Sequence, residues 1–286
     1  MKLGYIGIGL MGTPMTLRLL AAGHEVAVWN RSREKLSPVL AKGARAADSP
    51  AEVARNAEIV MMCVTDQRAA EEVLFGANGV AEGAKAGLVV VDFSSIAPAS
   101  ARAFHKKLGE KGVGLVDAPV SGGVPGAEKG TLAIMAGGRE QDIERARPVV
   151  MQLAARFTRM GESGAGQTTK LCNQIIVGSL LPILAEAVRL AEAGGVDAKK
   201  LPEALKGGFA DSLPLQIFGA RMASRTFEPS IGAASLMLKD LGNAADLAAA
   251  LGLGLPMVER ALERYRLLEA AGGIGRDPSV LVDLDQ

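Results

Sequence analysis

The feature that most constrains the fold is an alternation of short apolar runs with amphipathic stretches. The apolar runs have the length and composition of buried strands, and helix-like segments separate most of them. They cover residues 2–6, 25–29, 58–64, 88–92, 114–117, 131–135 and 156–160. Such an alternation is typical of βαβ units, in which parallel strands present their carboxyl ends along one edge of a sheet. The first half of the chain is therefore predicted to be an α/β domain with a largely parallel sheet.

The alternation stops at the glycine-rich segment 161–166, after which no strand pattern recurs. Helical stretches are predicted instead at residues 196–205, 214–223, 234–251 and 257–269. We therefore predict two domains, residues 1–163 and 164–286, which suits a length of 286 residues. A long helix over about residues 166–194 is predicted to join them, with a kink at Pro182 because proline cannot donate a helical hydrogen bond.

The composition of the chain argues against several kinds of binding partner. Hydrophobic residues make up 49% of the chain and charged residues 22%, as in a globular protein. Lys plus Arg number 32 against 31 for Asp plus Glu, so the net charge of +1 gives no general attraction to nucleic acid or to an anionic membrane. The chain has two histidines and two cysteines, which leaves almost nothing for a metal site, a disulfide framework or a Ser-His-Asp triad. We expect no metal, no nucleic acid and no membrane partner.

The compartment is predicted from weaker signals. Cys63 and Cys172 lie far apart in apolar surroundings, and the start of the chain has no secretory pattern. The longest apolar stretch, around residues 171–185, is shorter than the roughly 20 residues that a membrane span needs. A cytoplasmic protein is expected.

A dinucleotide motif follows the first predicted strand. The segment Gly7-Ile8-Gly9-Leu10-Met11-Gly12 lies between that strand and a helix. In such a turn the first glycine permits the tight bend, the second allows a pyrophosphate close to the backbone, and the third lets helix and strand pack closely. The amino end of the helix supplies free N–H groups for phosphates. A Rossmann-type, doubly wound domain that binds NAD(P) is predicted; a tight turn without a ligand is the alternative.

The end of the second predicted strand favours NADP(H). An NAD enzyme usually carries Asp or Glu there to bind the ribose hydroxyls, whereas this chain has Asn30 and Arg31. An arginine can pair with the 2′-phosphate of NADP through two hydrogen bonds. Binding of NAD(H) stays open, as does the alternative that Arg31 is a solvated charge at the start of a helix.

Two further motifs suggest a site for a small anion and a proton donor. Ser121, Gly122 and Gly123 follow a strand, where a hydroxyl and unobstructed N–H groups suit an anion; a glycine-rich β-turn is the plain alternative. Lys170 and Asn173 then lie on one face of the long helix. A lysine with its pKa lowered by desolvation can donate a proton, although a solvent-facing lysine is the usual case.

Together the motifs GIGLMG, DAPVSGG, GAGQTTKLCNQ and LKDL resemble the β-hydroxyacid dehydrogenases, in the same order and over essentially the whole chain. The resemblance implies a Rossmann-type domain followed by an all-helical domain, and an NAD(P)-dependent oxidoreductase that acts on CH–OH groups. It implies that Lys170 is catalytic and that Ser121, Gly122, Gly123 and Asn173 bind the substrate. It also implies cofactor contacts from Val64, Thr65, Ser95 and Lys239, besides residues 7–12, Asn30 and Arg31.

Within this family Asn30-Arg31 resembles the NADP-using reductases, and Asn173-Gln174 resembles the tartronate semialdehyde (2-hydroxy-3-oxopropionate) reductases. Cys172 instead resembles the 3-hydroxyisobutyrate enzymes. We therefore expect NADPH-linked reduction of a small carboxylate-bearing aldehyde, with 3-hydroxyisobutyrate dehydrogenase and glyoxylate/succinic semialdehyde reductase as alternatives. A non-catalytic NADP-binding module and a phosphosugar acid dehydrogenase are the rival classes. The resemblance and the Ala/Leu-rich helices also predict a homodimer or homotetramer.

Overall fold

The structure, a computed structural model, describes residues 1–284. It divides into two compact units, Met1–Lys170 and a second that begins at Leu171. Residues 285 and 286, which the predicted second domain includes, lie outside the described residues.

The first unit contains a nine-stranded sheet. Its strands are β1 Lys2–Ile6, β2 Glu25–Trp29, β3 Arg45–Ala46, β4 Ile59–Met62, β5 Val89–Asp92, β6 Gly114–Asp117, β7 Val120–Ser121, β8 Leu132–Gly137 and β9 Ala154–Gly161. The order across the sheet is β3-β2-β1-β4-β5-β6-β8-β7, and β9 pairs with β8. The pairings from β3 to β6 are parallel, while β8 runs antiparallel to both β6 and β7. The predicted doubly wound sheet is confirmed as a mixed, mostly parallel one; the two-residue strands β3 and β7 were not predicted.

Helices flank these strands. They are α1 Gly12–Ala21, α2 Ser37–Leu40, α3 Pro50–Asn56, α4 Gln67–Phe75, α5 Val80–Gly83, α6 Pro98–Gly109, α7 Gly123–Lys129 and α8 Glu140–Val150. Alternate residues of β4 belong to different cores, with Ile59 and Met61 in one and Val60 and Met62 in the other. Both faces of the sheet are therefore covered, which explains why the central strands read as unbroken apolar runs.

The second unit is helical. Between residues 171 and 284 the structure contains no strand, as predicted. The long helix α9 Ala165–Ala193 begins in the first unit and continues through Pro182 without interruption. The others are α10 Leu201–Leu205, α11 Ala220–Ser224, α12 Ala234–Ala250 and α13 Pro256–Ala270. Leu181, Leu184 and Val188 of α9 pack with the buried faces of α12 and α13, and the Tyr265 hydroxyl donates to Gly178 O at 3.1 Å.

Three predicted helices are broken into shorter pieces. Residues 32–42 form a 3₁₀ turn, Arg33–Leu36, followed by α2, and residues 196–205 form a 3₁₀ turn, Ala198–Lys200, followed by α10. In both, a proline stands in the first turn of the new helix, where its missing N–H costs little but prevents continuation. Residues 214–223 start as a π-helical turn, Leu215–Gly219, before α11.

Helix α9 has the extent predicted from the sequence, about residues 166–194, and includes the apolar stretch 171–185. By length and composition alone it reaches what a membrane span needs, with a mean hydropathy of 1.7 over 18 residues. The charge-free part of this helix, residues 171–185, is shorter than that window. Because 44% of that window is buried inside the chain, the same property also fits the core helix of a helical domain.

Candidate active site

The turn between β1 and α1 has the close packing that its glycines predict. Gly7 has a φ of +93°, and a Cβ there would lie 2.2 Å from Cys63 O. At Gly12 a Cβ would lie 2.0 Å from Gly7 O, so neither position accepts a side chain. At Gly9, by contrast, a Cβ would meet nothing within 4 Å. The backbone at Gly9 thus faces open space large enough for another group to approach.

The amino end of α1 is open to an anion. Met11 occupies the N-cap position without a side-chain cap, and the first turn carries no acidic residue among the described residues. Helices α3 and α4 differ, because Ser49 and Asp66 cap them by accepting from the N–H groups of Glu52 and Ala69. Although Thr13 N–H donates to Gly9 O at 3.0 Å, no side chain in the described part of the chain caps this end of α1, and the positive end of its helix dipole suits a phosphate.

Asn30 fixes the shape of this turn. Its Oδ1 accepts from the N–H of Ile8 at 2.9 Å, and its Nδ2 donates to Ser32 O at 2.8 Å. The side chain thus ties the glycine turn to the end of β2. Leu10, within the turn, is 85% exposed, whereas Ile8 is buried.

Arg31 and the pair Thr65-Asp66 follow the two strands, β2 and β4, that flank β1. Arg31 is exposed, whereas Arg33 pairs with Asp48 at 3.0 Å. The pKa of Asp66 is lowered first by hydrogen bonds from Ala69 N–H and the Thr65 hydroxyl, and the nearby charge of Arg31 adds to this effect. The Arg31 charge therefore acts on the segment that carries Thr65 and Asp66, and Val64 lies next to Gly7 of the glycine turn.

The segment after β5 is held by Ser94. Its Oγ accepts from Val64 N–H at 2.9 Å, and its own N–H donates to Asp92 Oδ1 at 2.8 Å. Ser95, the residue predicted to contact the cofactor, is half-buried beside it. Burial raises the pKa of Asp92 to about 7, and burial together with the Asp92 charge raises that of the Cys63 thiol to about 12. Burial thus favours the neutral form of both groups.

Asp117, at the end of β6, accepts hydrogen bonds from the start of α9. Its Oδ1 accepts from Gly164 N–H at 2.8 Å and its Oδ2 from Gln167 N–H at 2.9 Å. Burial raises the pKa of Asp117, and these N–H groups oppose that shift. A carboxylate at the amino end of a helix also complements the helix dipole.

Lys170 and the serine–glycine motif meet within the first unit. The Lys170 Nζ donates to Val120 O at 3.0 Å, directly before Ser121. Ser121 ends β7, and Gly122 and Gly123, with φ of +129° and +59°, lead into α7. Neither of the two alternatives drawn from the sequence anticipated this strand-to-helix connection. Gly122 and Gly123 are exposed, and they follow closely in the chain after Val120, whose carbonyl accepts from Lys170.

The remaining predicted residues belong to the second unit. Asn173 Nδ2 donates to Gln174 Oε1 at 2.8 Å, and Gln174 Nε2 donates to Asp240 Oδ2 at 2.6 Å. Lys239 Nζ lies 3.4 Å from Asp240 Oδ1. Gln174 and Asp240 are both buried. These two residues, for which the sequence predicted no role, connect Asn173 with Lys239, which were predicted site residues.

Comparison with known proteins matches both halves of the chain to models of dehydrogenase domains. A family model described as the NAD binding domain of 6-phosphogluconate dehydrogenase matches residues 2–161, and one described as NAD-binding of NADP-dependent 3-hydroxyisobutyrate dehydrogenase matches residues 164–284. The chain is 41% identical to the 2-hydroxy-3-oxopropionate reductase of Escherichia coli (strain K12), over 99% of this chain and 96% of that protein. The chain belongs to the 3-hydroxyisobutyrate dehydrogenase-like family of β-hydroxyacid dehydrogenases.

Other members of the β-hydroxyacid dehydrogenase family differ in the names they carry. A solved structure of Mycobacterium tuberculosis 3-hydroxyisobutyrate dehydrogenase with L-serine superposes with a TM-score of 0.90 at 30% identity, covering 100% of this chain and 99% of that one. An NAD-dependent L-serine dehydrogenase of Pseudomonas aeruginosa is 34% identical over 99% of this chain and 97% of that protein. The protein is therefore an NAD(P)-dependent oxidoreductase of this family.

Several site contacts escaped the sequence analysis. Ser94, Asp117, Gln167, Gln174 and Asp240 are buried polar residues with hydrogen bonds to the segments that carry the predicted site. One signal was available, since Asp92 and Asp117 each end an otherwise apolar strand. A carboxyl group in that position needs a local partner, which points to N–H groups of the following turns.

Proposed function

We propose that the protein uses NADPH to reduce a small aldehyde that carries a carboxylate, of the tartronate semialdehyde type, to the hydroxy acid, and that it also catalyses the reverse reaction. The observation that carries the proposal is the position of Lys170. Its ammonium group is held at 3.0 Å from Val120 O, beside the motif that is expected to bind the substrate carboxylate. The similarity to the Escherichia coli 2-hydroxy-3-oxopropionate reductase supports this substrate class.

In this proposal the protein binds the substrate at its carboxylate end. The Ser121 hydroxyl, the N–H groups of Gly122 and Gly123, and the Asn173 carboxamide hold the carboxylate. A substrate fixed at that end presents its carbonyl in one orientation, which removes much of the entropic barrier. The nicotinamide, when bound, supplies the hydride. Lys170 stabilises the negative charge that develops on the carbonyl oxygen and donates a proton to it; in the reverse direction it accepts that proton.

The dinucleotide is proposed to bind at the glycine turn. Residues 7–12 fit a pyrophosphate because Gly9 faces open space and α1 has no side-chain cap among the described residues. Arg31 is proposed to pair with the 2′-phosphate of NADP, while Val64, Thr65, Ser95 and Lys239 complete the cofactor contacts. Asn30 contributes by holding the turn in shape.

A substitution at Lys170 tests the chemistry. We expect Lys170→Ala to bind NADPH as the wild type does while kcat falls by roughly 10²–10⁴-fold, because the proton donor is lost. Steady-state assays with tartronate semialdehyde and fluorescence titration with NADPH measure the two effects separately. Lys106→Ala, at an exposed position on α6, is the control and should leave kcat unchanged. Full turnover by Lys170→Ala would remove the lysine from the mechanism.

A second candidate is the oxidation of 3-hydroxyisobutyrate or L-serine. It is favoured by the names of the Mycobacterium tuberculosis and Pseudomonas aeruginosa relatives. A panel of glyoxylate and tartronate, succinic and methylmalonate semialdehydes, with L-serine and 3-hydroxyisobutyrate assayed in the oxidative direction, distinguishes the candidates. We expect the highest kcat/KM for tartronate semialdehyde with NADPH.

A further inference from the structure

Gln167 has an unusually complete set of contacts for a side chain in the first turn of a helix. It is 1% exposed, and both ends of its carboxamide are used. Its Oε1 accepts from Ile96 N–H at 3.1 Å, and its Nε2 donates to Ser94 O at 2.7 Å. The side chain therefore joins the start of α9 to the segment that follows β5.

The main chain of the same residue is held by another strand. Gln167 N–H donates to Asp117 Oδ2 at 2.9 Å, so one residue is bonded both to the end of β6 and to the segment that follows the neighbouring strand β5. Gly166 brings the helix close to this edge, because a Cβ there would lie 2.3 Å from Asp117 O and 2.5 Å from Met135 O. The first turn of α9 thus has little freedom to shift or rotate.

Lys170 follows Gln167 by three residues, which places the two on neighbouring positions of one helix face. The Thr168 and Thr169 hydroxyls donate to Gly164 O and Ala165 O, both at 2.8 Å, so the intervening turn is bonded as well. The position from which Lys170 reaches Val120 O is therefore set one turn earlier, where the Gln167 carboxamide is anchored.

We infer that Gln167 is a positioning residue for catalysis, because its buried carboxamide bridges the helix that carries Lys170 to the segment that carries Ser95. This rests on the proposed roles of Lys170 and Ser95. The bridge fixes the distance between the proton donor and the segment proposed to contact the cofactor, and a displacement of about 1 Å in such a geometry can lower a rate by about 10²-fold. Gln167 itself has no contact with the reacting atoms in this scheme.

The substitution Gln167→Glu gives a test that depends on pH. When the introduced carboxyl group is protonated, it can donate its O–H to Ser94 O and accept from Ile96 N–H, which reproduces both bonds of the amide. When it is ionised, it can donate nothing, and its charge would face Ser94 O. The charged and titratable groups around position 167 are Asp117 on β6, Asp92 at the end of β5, Arg102 of α6 beside Gly164, and Lys170 on α9 itself.

The measurement is kcat of Gln167→Glu divided by kcat of the wild type at each pH, from pH 5.5 to 8.5. We expect this ratio to rise at least about tenfold as the pH falls, because protonation restores the bridge and the wild-type dependence cancels. Gln167→Met, which has no hydrogen-bonding group to replace the amide, should be slow with a flat ratio. Gln141→Glu, an exposed position on α8, is the matched control and should follow the wild type.

A flat Gln167→Glu ratio, or wild-type kcat in Gln167→Met, would overturn the inference. If Gln167→Glu unfolds at high pH by circular dichroism, Gln167→Met carries the test, with its NADPH affinity showing that the fold is intact. Failure of the proposed function has a different signature, since Lys170→Ala would then retain turnover whatever the Gln167 variants do.

Discussion

The carboxyl group of Asp92 gives the protein a specific pH dependence of stability. Burial raises its pKa from 3.8 to about 7, and its Oδ2 has no hydrogen-bond partner among the described residues. Between about pH 4 and pH 7 the folded chain retains a proton that the unfolded chain has released. The free energy of unfolding therefore falls as the pH rises through this range, and the loss is complete above about pH 7.

Asp92→Asn should remove this dependence. The amide oxygen can still accept from Ser94 N–H, and no proton titrates at the position. Relative to the wild type, we expect the free energy of unfolding of the variant to increase by about 1–3 kcal/mol between pH 4.5 and pH 8. Urea unfolding at pH 4.5, 6 and 8 measures it. Parallel pH profiles for the two proteins would show that Asp92 does not titrate as described.

Arg31 is the residue at which the proposed preference for NADP(H) can be tested. We expect Arg31→Asp to lower kcat/KM with NADPH and raise it with NADH, because a carboxylate repels the 2′-phosphate and can accept from the ribose hydroxyls. Arg33→Asp is the matched control, since Arg33 already pairs with Asp48. Unchanged NADPH-to-NADH ratios in Arg31→Asp would show that the 2′-phosphate is recognised elsewhere.

At single residues, the sequence indicated candidate residues but not the contacts that they make. The lysine, the glycines and the absence of a carboxylate after β2 follow from residue type and position. That Ser94 accepts from Val64 N–H, and that Gln167 joins two segments, depends on how far apart strand ends lie in three dimensions. The distance between strand ends in the fold cannot be predicted from the spacing of residues along the sequence.

Two glycines of the turn between β1 and α1 are expected to have different roles, Gly12 in stability and Gly9 in cofactor binding. We expect Gly12→Ala to lower the free energy of unfolding by about 1–3 kcal/mol or more, because its Cβ would overlap Gly7 O. Gly9→Ala should unfold like the wild type yet bind NADPH more weakly, because its methyl group would occupy the open space next to the backbone. Thermal unfolding and NADPH titration of both variants measure this contrast. Equal NADPH affinity of Gly9→Ala and the wild type would place the pyrophosphate elsewhere.

Elements were predicted with uneven success, for identifiable reasons. The ranges of β1, β2 and β6 were predicted as observed, because each is an apolar run that ends at a clear break. The segment after β2 reads as one helix because its hydrophobic spacing is helical, but Pro38 divides it. Helix α7 was missed because Gly122, Gly123 and Gly126 suppress the helical signal, although tertiary contacts hold the segment.

The whole molecule is expected to associate through α9. Ile176, Ile183 and Leu190 are 68%, 49% and 76% exposed and follow one another at intervals of seven residues, which places them along one stripe of the helix. We expect a homodimer or homotetramer by size-exclusion chromatography with light scattering, and a shift toward monomer in Ile183→Glu. Leu205→Glu, at an exposed leucine on α10, should not shift it. A monomeric wild type would contradict the prediction.

At this scale the two-part plan followed from the change of pattern at residues 161–166. The cytoplasmic location stays a prediction, and so does the domain boundary at residue 163, beside the unit boundary after Lys170. The boundary falls within a helix that both units share. Because the helical periodicity continues across the boundary, the sequence carries no signal for it.

The tight contact at the start of α9 has a consequence for any mutational scan of this protein. A Cβ at Gly137 would lie 2.7 Å from Gly166 N, and one at Gly166 would overlap Asp117 O, so both sites reject every larger residue. A growth selection would rank these two glycines alongside Lys170, the proposed proton donor, although neither offers a side chain to a ligand. Sorting the library for soluble protein before selecting for turnover would separate the two kinds of intolerance.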